Sequence, residues 1–407
     1  MRRETILKFL DKREIMLTIL VMVSLINFFY NLGTIALWDP DEPRYAEIAR
    51  EMITSGDWLK PSYNGDTRIE AKPPLTYWLI ALTSYPFGGE VNEFSARFPS
   101  ALAGLAGVLV IFYLGELLFN TRVGFFSGII LATNLQYVEI AREARPDMVL
   151  SLFIYLALLF FYRSYKGVGN RMINNLFLFL SMAMATLSKG PIGVLVTGGI
   201  IVCYLFFRKD LRFIKNMNLS IGIPLFLIVA IPGSLAFGKE VNQEFFLRQN
   251  LLRFFSGVNH QQSFYYYLYK LPINFLPWSL PLLPALISWF SGKKEGDRTF
   301  LHIWFLFIFL FLSLSMDKRS YYLLPLYPSL AILLGVFCDR SLTVKDEERF
   351  LSLPLWFRFI SVIILTLGVT VGLLGFISFP QYLNAIIPLA IFLLLIGASL
   401  LWATLSS

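Results

Sequence analysis

The chain has 407 residues, of which 56% are hydrophobic and only 15% are charged, and its formal net charge is +8. About a quarter of the residues in a water-soluble domain are charged, so this composition excludes an ordinary soluble protein and predicts a polytopic membrane protein. The positive charge then reflects sidedness in a membrane, and we expect no nucleic-acid partner. Cys203 and Cys338 lie at the ends of apolar runs, which indicates packing residues rather than a disulfide framework or a thiolate metal site.

About twelve apolar segments are long enough to cross a bilayer, which takes about 20 helical residues. Their approximate centres are Ile26, Leu109, Ile130, Leu156, Phe179, Val196, Leu227, Leu280, Phe307, Leu330, Leu365 and Ile391. If the N-terminus is cytoplasmic, the inner segments hold 20 of the 35 Lys and Arg residues, as the positive-inside rule expects. Both ends are then cytoplasmic, and two large loops, about 38–98 and about 238–270, lie on the outer face.

The fold class is therefore an all-α polytopic membrane protein. The first apolar segment is too long for a signal peptide and no small-residue cleavage site follows it, so we expect it to remain as an anchor. The sequence has no internal repeat, and we predict one transmembrane domain over residues 1–407 with no C-terminal soluble domain. Any chemistry then falls to the outer loops and to the span ends beside them.

The first outer loop begins with WDPDEPRYAE, residues 38–47, which places five charges directly after the first span. Asp39 as cap and Pro40 at the first helical position predict a helix start. The spacing that follows predicts an amphipathic helix along the membrane interface, in which Glu42, Tyr45, Ala46 and Ala49 share neighbouring faces and Ile48 and Met52 lie at apolar spacing. Asp41 and Glu42 would lie at the N-terminus of this helix, where the dipole favours anions. Taken alone, such an acidic pair is the cap of a surface helix.

Lys72 stands where the first outer loop returns to the apolar phase. Two prolines follow it and hold the chain extended, and the next aromatic residues, Tyr77 and Trp78, are typical of a membrane interface. A lysine in this place can reach a lipid phosphate at headgroup level. Considered by itself, it is an ordinary snorkelling anchor.

Charges recur at the outer ends of three later spans. They lie in AREARPDMVL, LSKGPIG and MDKRSYYLLPLYP, which contain Arg142, Arg145, Asp147, Lys189, Asp317, Lys318 and Arg319. A charge within a membrane span costs about 2.5–3.5 kcal/mol on insertion scales. Several of them at one face therefore predict a common polar cavity.

In chain order, the motifs WDPDEPRYAEIAREM, AKPPLTYWL, AREARPDM, LSKGPIG, RFFSGVNHQQSFYYYL and RSYYLLPLYP resemble those of the GT-C fold lipid-phosphate-sugar glycosyltransferases. The resemblance covers about residues 32–328, and DEPRYAE followed by KPPL is its most specific part. It points to the bacterial aminoarabinose transferases that modify lipid A and, more distantly, to the protein O-mannosyltransferases. It implies a GT-C fold with amphipathic helices in the first periplasmic loop, a cavity open to the bilayer, and a polyprenyl-phosphate sugar donor.

Chemistry assigns roles to the residues that carry this resemblance. Transfer from a polyprenyl phosphate cleaves the anomeric C–O bond, so negative charge grows on the departing phosphate and preorganised cations do most of the catalysis. We expect Lys72 to bind this phosphate and Tyr322 to donate a hydrogen bond to it. Supporting charges are expected from Arg145, Lys189 or Arg319.

On the acceptor side, Asp41 is the carboxylate that we expect to be catalytic. It would take the proton from a hydroxyl acceptor, or orient a phosphate acceptor that is already nucleophilic, and the anomeric centre inverts. Glu42 is the alternative carboxylate. The remaining sugar and acceptor contacts are expected from Arg44, Tyr45, Asp147 and His260.

The chemistry requires no cofactor or metal. His260 with an acidic residue is the alternative site for a divalent ion, although no HxxxH or HxxE spacing supports it. His302 lies in the middle of an apolar span, which indicates a core residue.

The sequence thus predicts an inverting glycosyltransferase of the bacterial inner membrane, acting on a lipid A-like glycolipid at the periplasmic side. A protein or polysaccharide hydroxyl is the alternative acceptor, and a non-enzymatic lipid or sugar transporter is the alternative function. Transporters place their sites near the midplane and often have two related halves, whereas the charges here gather at one face. A non-enzymatic scaffold would leave the cost of these charges unexplained.

Overall fold

The computed structural model describes residues 12–38, 40–59, 61–65, 72–235, 261–291 and 297–343, with scattered helical positions between 358 and 401. The described chain is mainly helical. Its α-helices are α1 Arg13–Phe29, α2 Asp41–Ser55, α3 Leu75–Ser84, α4 Glu93–Leu118, α5 Thr121–Ala132, α6 Leu135–Ala141, α7 Pro146–Tyr165, α8 Arg171–Lys189, α9 Ile192–Phe207, α10 Leu219–Leu235, α11 Tyr266–Asn274, α12 Leu282–Ser291, α13 Arg298–Leu314 and α14 Tyr327–Thr343. Short 3-10 helices span Tyr85–Phe87, Leu211–Asn216 and Ser320–Leu326.

The chain forms two compact units. The larger, residues 13–279 and 294–335, contains α1 to α11, α13 and the first part of α14. The smaller comprises residues 1–12, 280–293 and 336–407, and contains α12 and the last part of α14. The outer-face residues singled out in the sequence lie in the larger unit, apart from His260, which falls outside the described residues.

Three described helical segments are long and apolar enough to cross a membrane: α4, α7 and Ser320–Ser341. Two helix pairs, each bent by 67°, raise this number to five if each pair is one span. All the predicted span centres are helical except Leu280, which lies in a turn before α12 begins at Leu282. The predicted helical centre at Leu280 was wrong because Pro277 and Pro281 interrupt the apolar run and have no N–H to donate to a helical hydrogen bond.

Helix α2 is the amphipathic helix predicted in the first outer loop. Its buried face consists of Glu42, Tyr45, Ala46, Ile48, Ala49 and Met52, and packs on Tyr77, Ile80 and Ala81 of α3. The helix begins at Asp41, one residue later than predicted, and its N-cap is Pro40, which makes no side-chain cap bond. Asp39, the predicted cap, lies outside the described residues. The carboxylate of Glu42 instead accepts the N–H of Trp38 at 2.7 Å. The helix ends at Gly56, whose φ of 72° requires the left-handed region that glycine adopts readily.

Helices α8 and α9 form a close antiparallel pair joined by Gly190 and Pro191. A Cβ at Gly193 would lie 2.6 Å from the backbone carbonyl carbon of Ala185, so only glycine allows this approach. The pair brings Lys189, the last residue of α8, beside the start of α9.

The bend between α5 and α6 orients the loop that leads to Arg145. Asn134 caps α6 by accepting the N–H of Tyr137 at 2.8 Å. The segment after α11 holds the bend from outside, because Leu276 O accepts the N–H of Leu135 at 2.9 Å and Trp278 Nε1 donates to Thr133 Oγ1 at 2.9 Å. Helix α6 therefore leaves the bend in a fixed direction and delivers residues 142–146 to the N-terminus of α7.

Candidate active site

A cavity of about 150 Å³ lies among α7, α9, α13 and the 3-10 helix Ser320–Leu326. Its polar lining consists of Lys72, Asp147, Ser151, Lys189, Ser315, Asp317, Tyr321 and Tyr322. Its apolar lining consists of Leu150, Ile154, Ile192, Val196, Ile308, Phe311, Leu312 and Pro325. A cavity with both linings suits an amphiphile that has an anionic head and an apolar tail.

Lys72 is held at the cavity by aromatic side chains. Its Nζ donates a hydrogen bond to Tyr45 Oη and lies 4.9 Å from the centre of that ring. The Tyr45 ring stacks in turn on Tyr77, with 5.7 Å between centroids. Burial lowers the pKa of Lys72 to about 8, and the nearby charge of Lys189 acts in the same direction. Tyr45, predicted as a sugar or acceptor contact, is thus a buried support for Lys72.

Lys189 and Asp147 meet at the same cavity from two different helices. Lys189 ends α8, Asp147 lies in the first turn of α7, and the Lys189 Nζ donates to Asp147 Oδ1. The Lys189 Nζ also lies 4.2 Å from the centre of the Tyr322 ring. Asp147 therefore offsets the positive charge of Lys189, one of the two lysines at the cavity. Among the described residues, no carboxylate forms an ion pair with Lys72.

Asp41 lies in a separate cluster with three arginines. Arg44 Nη2 is 2.9 Å from Asp41 Oδ1, while Arg145 Nη1 and Arg319 Nη1 are 3.0 and 3.8 Å from Oδ2. Burial raises the pKa of Asp41, but the charges of Arg145, Lys72, Arg319 and Arg44 outweigh it, so the pKa falls below its usual value. Asp41 is consequently ionised at neutral pH and is a weak base.

Glu42, the alternative carboxylate, points away from this cluster into the protein. It is 1% exposed, and its two oxygens accept from Arg97 Nε at 2.9 Å, Arg97 Nη2 at 2.7 Å, the Ala144 N–H at 2.7 Å and the Trp38 N–H. Burial raises the pKa of Glu42, but the hydrogen bonds from Arg97, Trp38 and Ala144 bring it below the usual value. These contacts occupy the carboxylate in joining α2 to α4 and to the loop before α7.

Sequence reasoning missed Arg97. Its guanidinium also donates to the backbone carbonyls of Leu32, Ile35 and Ala36, so it fixes the link between α1 and α2. The signal was present, because an arginine near the start of a long apolar helix needs a partner. Its partner is Glu42, for which the sequence predicts a role as a helix cap or a catalytic group.

The predicted site residues thus fall into two neighbouring groups. Lys72, Asp147, Lys189 and Tyr322 line the cavity, whereas Asp41, Arg44, Arg145 and Arg319 are not among its lining residues. Tyr321, which sequence reasoning did not select, lies between them: its ring centre is 4.9 Å from Arg145 Cζ, 5.5 Å from Lys189 Nζ and 5.8 Å from Arg319 Cζ.

Comparison with known proteins relates the chain to a family. Residues 71–235 match the family model of dolichyl-phosphate-mannose-protein mannosyltransferases. An uncharacterized protein of Aquifex aeolicus is 31% identical over 379 residues, which cover 91% of this chain and 72% of that protein. The undecaprenyl phosphate-alpha-4-amino-4-deoxy-L-arabinose arabinosyl transferase of Aeromonas hydrophila is 30% identical over 340 residues, 81% of this chain and 61% of the transferase. This chain therefore spans about three fifths of that named relative.

A solved structure shares the fold. ArnT from Cupriavidus metallidurans bound to undecaprenyl phosphate has a TM-score of 0.73 and 24% identity, with coverage of 95% of this chain and 76% of ArnT. The predicted GT-C fold is thereby confirmed. Together, the family model, the sequence relatives and the shared fold show that the chain belongs to the GT-C superfamily of aminoarabinose transferases and protein mannosyltransferases.

Proposed function

We propose that this protein is an inverting glycosyltransferase that moves a sugar from a polyprenyl-phosphate donor to a lipid A-like glycolipid at the periplasmic side of the membrane. The observation that carries the proposal is the cavity, in which two lysines and two tyrosines adjoin an apolar lining. The names of the relatives support the donor class. The Aeromonas hydrophila relative is named as a transferase of an undecaprenyl-phosphate-linked sugar, and the structure of ArnT contains bound undecaprenyl phosphate.

The cavity residues serve the departure of the lipid phosphate. As the anomeric C–O bond breaks, its electron pair goes to the phosphate oxygen, where charge increases. Lys72 and the Tyr322 hydroxyl would stabilise that oxygen. The contact of Lys72 with Tyr45 would hold the ammonium group in place, so that little reorganisation is needed. Lys189 would hold Asp147 in place, which leaves Asp147 to accept hydrogen bonds from sugar hydroxyls.

The acceptor oxygen attacks the opposite face of the sugar. A hydroxyl needs a base whose pKa lies near the operating pH, and the lowered pKa of Asp41 makes it unsuited to that task. A phosphate acceptor is already an anionic nucleophile and needs no base. The charge state of Asp41 therefore favours a phosphate on the acceptor over a hydroxyl.

The proposal is tested with the purified protein and a radiolabelled sugar linked to undecaprenyl phosphate. With lipid A as acceptor, we expect free undecaprenyl phosphate and labelled glycolipid to appear in equal amounts. Lys72→Gln should abolish both products, while the folded fraction stays that of the wild type. Movement of the intact donor between leaflets of a vesicle without cleavage would instead establish a transporter.

Asp41→Asn discriminates between the two acceptor classes. Loss of a general base typically costs about 10²–10⁴-fold in rate, so we expect a loss smaller than about 100-fold for a phosphate acceptor. The control is Glu47→Gln, which removes a carboxylate from the same helix where it pairs with Arg50. A loss above about 1,000-fold in Asp41→Asn alone would show that the acceptor is a hydroxyl.

A further inference from the structure

A basic surface lies at the end of α7 that is remote from the cavity. Its side chains are exposed, and no carboxylate of the described chain forms an ion pair with them: Arg171, Arg208, Lys209, Arg212 and Lys215. Between Asp147 and Glu240 the sequence has one acidic residue, Asp210. Helix α7 has 20 residues and is about 30 Å long at 1.5 Å per residue, so it separates this surface from the cavity by about the thickness of a bilayer core.

Two aromatic residues gather the basic side chains at one place. Tyr165 ends α7, and its ring centroid lies 5.0 Å from that of the buried Phe213. A side-chain hydrogen bond joins Arg208 to Tyr165, and the Arg171 guanidinium carbon lies 5.8 Å from the centre of the Phe213 ring. The end of α7, the start of α8 and the segment after α9 therefore meet at this surface.

The 3-10 helix Leu211–Asn216 presents two of the basic side chains on one side. Such a helix has three residues per turn, so Arg212 and Lys215 project in nearly the same direction. Asn175 Nδ2 donates to Asn216 O at 2.9 Å, which fixes the end of this helix on α8. The helix meets α10 at a bend of 67°. If α10 crosses the membrane, the 3-10 helix thus runs closer to the membrane plane than to its normal.

Exposed apolar side chains stand directly beside these charges. Phe206 and Phe207 end α9 and are 62% and 67% exposed, and Leu211 and Met172 are 45% and 46% exposed. Charged and exposed apolar groups side by side suit an amphiphile, whereas a soluble anion uses only the charges. The positive-inside rule accounts for the sign of the charges, but it does not account for their grouping around aromatic rings.

Arg171 occupies a position at which a helix disfavours a cation. It is the first residue of α8, and the N-terminus of a helix carries the positive end of the helix dipole. None of the described carboxylates pairs with it. A phosphate group beside Arg171 would be attracted both by the guanidinium and by the dipole.

We propose that the basic surface binds the phosphate head group of an anionic phospholipid, in the leaflet on the side that the charge distribution predicts to be cytoplasmic. The guanidinium groups of Arg171, Arg208 and Arg212 can contact phosphate oxygens through paired hydrogen bonds. The acyl chains would lie along Phe206 and Phe207. No residue of the surface lines the cavity, so the site is separate from the proposed transfer reaction.

The test uses the full chain in detergent and measures bound lipid by native mass spectrometry. We expect anionic phosphatidylglycerol to bind the wild type at least about tenfold more tightly than zwitterionic phosphatidylcholine. Arg212→Gln combined with Lys215→Gln should reduce this preference at least about threefold. The charge-retaining pair, Arg212→Lys with Lys215→Arg, should keep most of it. The matched control is Arg50→Gln, which removes an exposed arginine from α2 and should leave the preference unchanged.

The variants separate a local site from a general effect of charge. An unchanged preference in the glutamine pair would overturn the proposal. An equal loss in Arg50→Gln would also overturn it, because the preference would then follow net charge alone. Loss in the charge-retaining pair as large as in the glutamine pair would show that packing, rather than the charge of this surface, is responsible, and the proposal would fail.

Glycerol phosphate distinguishes a lipid from a soluble anion, since it supplies the phosphate without acyl chains. We expect it to leave phosphatidylglycerol bound when the two are present at equal concentration. If it displaces the lipid as effectively as added phosphatidylglycerol does, the surface binds soluble anions and the lipid proposal is wrong.

Discussion

We expect Lys72 to make donor binding weaker at alkaline pH. Because its pKa is lowered to about 8, the ammonium is charged below that pH and loses its proton above it. We expect the Kd for undecaprenyl phosphate to change little below about pH 7, to be about twofold higher at pH 8 and then to rise toward tenfold per pH unit. In Lys72→Arg the rise should disappear, since a guanidinium stays protonated throughout this range. The same alkaline rise in both proteins would assign the effect to another group.

Glu42 and Arg97 form a second residue-scale test, of stability rather than activity. Removal of one partner from a buried ion pair costs about 3–5 kcal/mol, because the other charge stays buried without compensation. We expect Glu42→Gln to lower the thermal unfolding midpoint in detergent strongly. The double variant Glu42→Gln, Arg97→Met should recover a substantial part of that loss. A midpoint for Glu42→Gln equal to that of the wild type would contradict the role assigned to this pair.

The neighbours Asp41 and Glu42 mark the limit of sequence reasoning at this scale. Successive residues of a helix point about 100° apart, so one of the two had to face the core and the other the outside. Which residue takes which role depends on the rotation of α2 about its axis, and packing on α3 and α4 sets that rotation. Lys72, Asp147 and Lys189 were easier to predict as a group, because each lies at the outer end of an apolar segment.

At the scale of elements, the contact between α8 and α9 is the most sensitive packing surface near the cavity. Gly193→Ala would place a Cβ against the Ala185 backbone, which cannot rotate away. We expect a loss of about 1–3 kcal/mol from overpacking, together with weaker donor binding, because Lys189 and Ile192 flank this contact.

Gly198→Ala in the same helix is the matched control. There the nearest atom to a new Cβ is Met182 Cε at 3.9 Å, so the better helix propensity of alanine should leave stability unchanged or slightly higher. Thermal unfolding of both variants measures the difference. Equal unfolding midpoints would mean that the α8–α9 contact yields more easily than its geometry indicates.

Helix positions were largely predictable, because an apolar run of membrane length indicates a helix buried in lipid or protein. This inference does not depend on which tertiary contacts the helix makes. The bend after Thr133 was not predictable in this way. Asn134 caps the helix that follows the bend, but neither Thr133 nor Asn134 is a helix breaker of the kind that proline is. The contacts that hold the bend come from more than a hundred residues away, where the segment after α11 supplies Leu276 and Trp278. The prolines around Leu280 already indicated an interrupted helix, whereas the hydrophobicity of the segment alone predicted a continuous span.

For the molecule as a whole, the distribution of Lys and Arg residues predicts which loops lie on each side of the membrane. In a cysteine-free background, Asn64→Cys in the first outer loop should react with a membrane-impermeant maleimide added outside intact cells. Val168→Cys, in the RSYKGVGNR segment between α7 and α8, should react only after the cells are opened. Both side chains are exposed, so accessibility within the protein does not bias the comparison. The reverse labelling pattern would show that the topology is inverted and that the candidate site does not face the periplasm.

The buried bond between Glu42 and Arg97 also dictates an order of events during synthesis. The two residues are 55 positions apart, so the first outer loop leaves the ribosome well before the arginine that α2 requires. Until α4 emerges, Glu42 has no counterion for burial, and α2 cannot settle on its final partners. We therefore expect the first loop to remain open to protease in nascent chains that stop before residue 97, and to become resistant once the following span has been made. The part of the candidate site that comes first in the sequence, α2, is therefore completed only by α4, a helix that is made after it.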